Sequence, residues 1–144
     1  GTARNAFATL VAGACHTAGQ ARWVGERAFD GLAKPCDLRA PEELLRQIDG
    51  SVRERDQLGA CSAARAYVEL GHAPEPLFAK LLDVLVSEDG ALHAEKYFRT
   101  AQEEHSTARP AQRGQYLVAL TRVAASSFGF PAPGCAEARK LLVG

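Results

Sequence analysis

The sequence predicts an all-α protein, a compact bundle of six or seven helices, and three observations lead there. Apolar residues recur at intervals of three and four along most of the chain, the repeat of a helix with one buried face. Prolines and glycines fall where such helices would begin and end. Nothing alternates apolar and polar residues over a length that a half-buried strand needs. At 144 residues, 47% hydrophobic and 24% charged, the chain is long enough to bury one core and has the balance of an ordinary globular protein, so a single domain over 1–144 is expected. It contains no methionine and opens on Gly1-Thr2, so it is expected to be processed from, or a piece of, something longer.

From Ala3 to about Asp30, Phe7, Leu10, Val11, Ala14, Ala18, Ala21, Gly25 and Ala28 mark a long first helix with a small-residue seam, expected to be buried on more than one side. Gly31 and Pro35 interrupt the pattern, and 30–40 reads as a connection. Pro41-Glu42-Glu43 opens a helix to about Ile48: proline suits the first turn, whose amide has no partner anyway, and acids suit its positive end. Asp49-Gly50 then reads as a stop. Ser51-Val52-Arg53-Glu54 fits a capping box that starts the next helix, running to Leu70 with a kink at Gly59. Gly71 is placed for a left-handed terminal cap, with Pro74 and Pro76 just beyond.

Leu77, Phe78, Leu81, Leu82 and Leu85 form the strongest apolar stripe and predict a core helix over 76–87. Asp89-Gly90 bends or breaks the passage into a further helix at 91–108. Pro110 opens another, running to Phe128, with Leu117, Leu120, Ala124 and Ser127 as its buried face and Gly129 as its stop. Phe130 to Gly134 reads as a rigid turn, and Cys135 to Val143 as a short terminal helix.

Acidic and basic residues balance at 17 each, so neither nucleic acid nor an anionic membrane surface is favoured as a partner. No run approaches the ~18 apolar residues of a membrane span, and the N-terminus lacks a signal-peptide pattern. Arginine in excess of lysine, with abundant alanine, points to a bacterial coding sequence. Cys15, Cys36, Cys61 and Cys135 are widely spaced without a C-x-x-C pair, which fits reduced, buried thiols in a cytoplasmic protein. Cys15 and His16 point about 100° apart on one helix, so they cannot form a nucleophile–base pair.

The richest chemistry lies in the 91–108 helix. Ala94, Phe98, Ala101 and His105 make one stripe, and His93, Tyr97, Thr100 and Glu104 a second beside it. If both face one cavity, the helix lines a pocket to which Tyr97, Thr100, His105 and Trp23 contribute. His93 and Glu104, with His16 and His72 from elsewhere, form a candidate ligand set for non-haem iron or another divalent metal, since two histidines and a carboxylate suit Fe(II). His93 and Glu104 lie about 16 Å apart along the axis, so each needs partners from other elements. The bland alternative makes the helix a solvated charged face, with Glu95 and Arg99 in the favourable i,i+4 order.

The block Leu81-Leu82 followed by Glu88-Asp89-Gly90-Ala91-Leu92-His93, and more loosely Leu117 to Ala125, resembles helical domains that accompany bacterial Rieske-type ferredoxin modules. The resemblance implies an all-helical accessory or substrate-handling domain of a redox system, with His93 at the recurring histidine and a redox protein as partner. An iron–sulfur cluster is not expected, because Cys15-His16 is not one of the paired Cys/His boxes that a Rieske centre uses. The leading expectation is thus a helical binding or accessory domain that self-associates, with a pocket along 91–108. The rival is a non-haem metal-dependent oxidoreductase using His93, Glu104, His16 and His72.

Overall fold

The computed structural model describes residues 11–15, 35–88 and 91–143, with only the backbone of 91–93, 139 and 143. The fold is all-α, and among the described residues the only strand-like feature is an isolated bridge between Glu88 and Pro131. Two units are distinguished, Gly1–Leu32 and Ala33–Gly144. The first is described over 11–15, which are helical and exposed at all five positions, not buried on several sides. The rest of the expected first helix, including His16 and Trp23, lies outside the described residues, as do 30–34 of the connection at 30–40 and Asp89-Gly90.

The described residues of the second unit form six helices: α1 Pro41–Arg53, α2 Gln57–Glu69, α3 Pro74–Ser87, α4 Ala91–Thr107, α5 Pro110–Ser127 and α6 Cys135–Val143. Helix α1 starts at Pro41 as the sequence implies, but it passes through Asp49-Gly50 to Arg53. Burying Leu44, Ile48 and Val52 at intervals of four outweighs the roughly 1 kcal/mol that one interior glycine costs. Ser51 therefore sits inside α1, where its hydroxyl accepts from Gln47 Nε2 at 3.1 Å, and the expected capping box does not form. The cap of α2 is Asp56, whose carboxylate accepts from the Gly59 amide at 3.0 Å.

Arg55 links the two helices in a left-handed conformation, φ +59°. The Arg55 amide donates to the Val52 carbonyl and the Asp56 amide to that of Ser51, at 3.0 and 2.8 Å, so α1 ends in a Schellman motif with arginine where glycine is usual. The same motif closes α2 around Gly71, φ +75°, through Gly71 to Val68 and His72 to Tyr67. There the sequence reading was right in detail.

Helix α5 is the hub, packing against α1, α2, α3 and α4. It runs antiparallel to α2: Gln57 meets Arg122, Cys61 meets the Val118 carbonyl, and Val68 meets Gly114. A Cβ on Gly114 would overlap the Val68 side chain, and Ala64 on the same stripe of α2 is fully buried. Small residues at this contact let the two backbones approach closely. Helix α3 buries Leu77, Phe78, Leu81, Val84 and Leu85, whereas Leu82, expected inside, is 38% exposed. Val84 takes its place because α3 meets both α4 and α5, which shifts the buried arc round the helix.

Helix α6 follows a connection tied down at several points. The Phe130 amide donates to the buried Glu88 carboxylate at 2.6 Å and the Ala132 amide to the Ser87 carbonyl at 2.8 Å. Arg53 and Arg55 lie over the rings of Phe128 and Phe130, 5.6 and 5.1 Å from the centroids.

Candidate functional site

Helix α4 shows why its two stripes do not share a cavity. Ala94, Phe98 and Ala101 are buried toward α3 and α5, with Phe98 edge-on to Phe78 at 5.9 Å between ring centroids. His105 continues this stripe, half-buried, its imidazole edge-on to Phe78 at 5.4 Å. Tyr97, Thr100 and Glu104 all stand exposed on the neighbouring face. The reason is geometric: a polar strip adjoining an apolar seam satisfies its groups best in water once the seam has filled the contact.

The candidate metal ligands are placed as follows. Glu104 accepts a long bond from Tyr116 Oη on α5, 3.4 Å, at the surface of the α4–α5 hairpin. His72 occupies the turn between α2 and α3, where its ring lies 5.0 Å from that of Tyr67 and its Nε2 is 2.9 Å from the Arg39 carbonyl. A carbonyl can only accept, so Nε2 carries the proton and donates it. His72 thereby fastens the chain before α1 to the end of α2, while Tyr67 Oη donates to the Ala73 carbonyl at 2.8 Å. His93 lies within α4, its side chain outside the described residues, as is His16. Among the described residues no three His, Cys, Asp or Glu side chains converge as a metal site requires.

Two surface recesses went unanticipated. One, about 450 Å³, lies between the chain at 35–39 and α2, with Cys36, Asp37, Arg39, Arg65 and Glu69 on its walls. The other, about 320 Å³, runs along α1 past Glu43, Arg46, Gln47 and Glu54. Neither includes a residue of α4. The first combines residues of 35–39 with residues of α2, so periodicity within one helix carries no trace of it.

Burial pushes the Cys61 thiol up despite nearby Arg122 and Arg65, which keeps it protonated, its Sγ 3.8 Å from the Val118 carbonyl. All four cysteines are free thiols. Burial also pushes the Tyr67 phenol up, with Glu42 and Glu75 adding to the effect. Desolvation opposes ionisation at Asp49, yet the hydrogen bond from Arg53 and the charge of Lys80 together hold its carboxyl below the usual range.

Compared with models of known protein families, with curated proteins and with solved structures, the chain matches none. No described helix is long and apolar enough to cross a membrane.

Proposed function

We propose that this chain is a helical binding or accessory domain that works by contact with another protein. The observation that carries the reading is the exposure of large apolar side chains on the bundle's helices, chief among them Leu82 and Val86 on α3, Tyr97 on α4, and Leu141 and Leu142 on α6. Apolar side chains left in water together mark surfaces that are covered in use. Tyr97 adds the rigid, half-polar area that protein interfaces favour, with Thr100 and Glu104 beside it as hydrogen-bonding rim. The resemblance of 81–93 to domains accompanying Rieske-type modules makes a redox protein the first partner to try, and four free thiols suit a reducing compartment such as the cytoplasm.

Among the described residues no three His, Cys, Asp or Glu side chains converge around His72 or Glu104, which favours this reading over a metal-dependent oxidoreductase. Two measurements test it. A photo-crosslinking amino acid at position 97 should capture one defined protein in cells, while the same group at Glu43, on the far recess, should not. Equal labelling from both positions defeats the proposal. Stoichiometric iron or manganese in untagged purified protein, lost in His93→Ala, favours the metal-dependent reading instead.

A further inference from the structure

The recess of about 450 Å³ beside α2 lies in the size range of small-ligand sites and is bounded by two pieces of chain. Its floor is one face of α2, where Ser62 is buried and Ala66 half-buried, while Arg65 and Glu69 stand exposed and Leu70 closes the end. The opposite wall is the chain at 35–39. Burial alternates along it, Cys36 and Leu38 half-buried against the core and Asp37 and Arg39 exposed, which is the period-two pattern of extended backbone. His72 pins the Arg39 carbonyl at the C-terminal end of α2, so the segment runs back from there beside the face that carries Leu70, Ala66 and Ser62.

Two features define the kind of molecule that suits this space. Arg39, Arg65, Asp37 and Glu69 put two charges of each sign on its walls, and among the described residues none of the four is in an ion pair. A simple anion would meet the carboxylates and a simple cation the guanidiniums, so the walls favour a molecule that is neutral overall and charged at both ends. Among the described residues, moreover, the amides of Cys36, Asp37, Leu38 and Arg39 have no backbone acceptor, and an extended edge with open main-chain groups is what an extended peptide pairs with. Lengths agree as well: Ser62 to Leu70 covers about 12 Å at the helical rise, and an extended tripeptide reaches about 10 Å.

We infer that the recess binds a short free peptide of about three residues, extended alongside 35–39, its terminal carboxylate on the guanidiniums and its ammonium on the acids. With Ser62 and Ala66 as the floor, nothing selects a large or charged side chain, so main chain and termini carry the recognition and trialanine is a sufficient probe. The site shares no residue with the surface around Tyr97, so this binding and capture at position 97 succeed or fail separately.

Calorimetric titration of the full chain with trialanine should show saturable binding with a Kd below about 1 mM. N-acetyl-trialanine amide keeps the main chain and lacks both terminal charges, and it should bind at least about tenfold more weakly. Arg65→Gln and Glu69→Gln lie at exposed positions and should leave thermal unfolding unchanged, yet each should weaken trialanine at least about fivefold. Arg46→Gln, on the other recess, should change nothing. Thiol alkylation locates the site: trialanine should slow labelling of Cys36 and leave Cys15 and Cys135 unaffected. No saturable heat up to about 10 mM trialanine overturns the inference. Equal affinity for the capped peptide, full affinity in both glutamine variants of α2, or labelling of Cys36 that trialanine does not slow overturns it equally.

Discussion

Gly114 fixes how near α5 can come to α2, because the space for a Cβ is already filled by Val68. Gly114→Ala should improve the intrinsic helix preference of α5 and still lower stability by about 1–3 kcal/mol, the range for overpacking a tight contact. Urea unfolding checks this, and adding Val68→Ala should recover much of the loss. Arg55 poses the opposite problem, a side chain in a conformation that glycine adopts freely, retained while its guanidinium lies over Phe130. Since Arg55→Gly and Arg55→Ala both remove that stacking, their difference isolates the backbone strain. The glycine variant should be more stable by about 1 kcal/mol, and equal stabilities would show that no strain is held there.

Among elements, what could be read from sequence was whatever depends on a residue's own chain neighbours. Pro41 and Pro110 open helices, and Gly71 closes one, because those roles need only local backbone geometry. Ser51 misled because its spacing to Glu54 satisfies a capping pattern, whereas the burial of Val52 on the previous helix decides the boundary. The acid- and histidine-rich α4 looked central by composition, yet the hub is α5, whose apolar residues face four neighbours. Its centrality lies in contacts across the bundle that no single helix records.

Two ties between elements are open to measurement. Asp49 on α1 bonds Arg53 at 3.0 Å and reaches Lys80 on α3 at 3.6 Å. Its folded pKa lies below the unfolded value, so the stabilisation is complete above the unfolded pKa of about 3.9 and disappears as pH falls through the folded one. Wild type should thus be more stable than Asp49→Asn at neutral pH and converge on it below about pH 4. Thermal unfolding at several pH values checks this, and a gap of constant size would disprove the link. Glu88→Ala should release the Phe130 amide, costing about 1–3 kcal/mol for the lost buried bond. Hydrogen exchange should rise sharply at Phe130 and Ala132 and stay unchanged within α2.

For the molecule as a whole, the four thiols report different depths of opening. Cys15 is exposed, Cys36 and Cys135 are half-buried, and Cys61 is buried at the α2–α5 contact with its thiol held protonated. Alkylation of native protein should modify Cys15 first. Cys61 should react only at the rate of global unfolding, because reaching it requires separating the hub from its closest neighbour. Fast labelling of Cys61 in the native state would mean that this contact opens on its own.

The backbone approach of α2 and α5 also makes the protein unequally tolerant of change. At Lys96 or Gln102 a side chain can grow or shrink into water, so those positions are free to drift. Along the α2–α5 contact substitutions run one way: a smaller residue leaves a gap, while a larger one wedges apart two helices that everything else leans on. A lineage carrying this fold could exchange one partner-facing surface for another and would still have to keep Gly114 and Ala64 small.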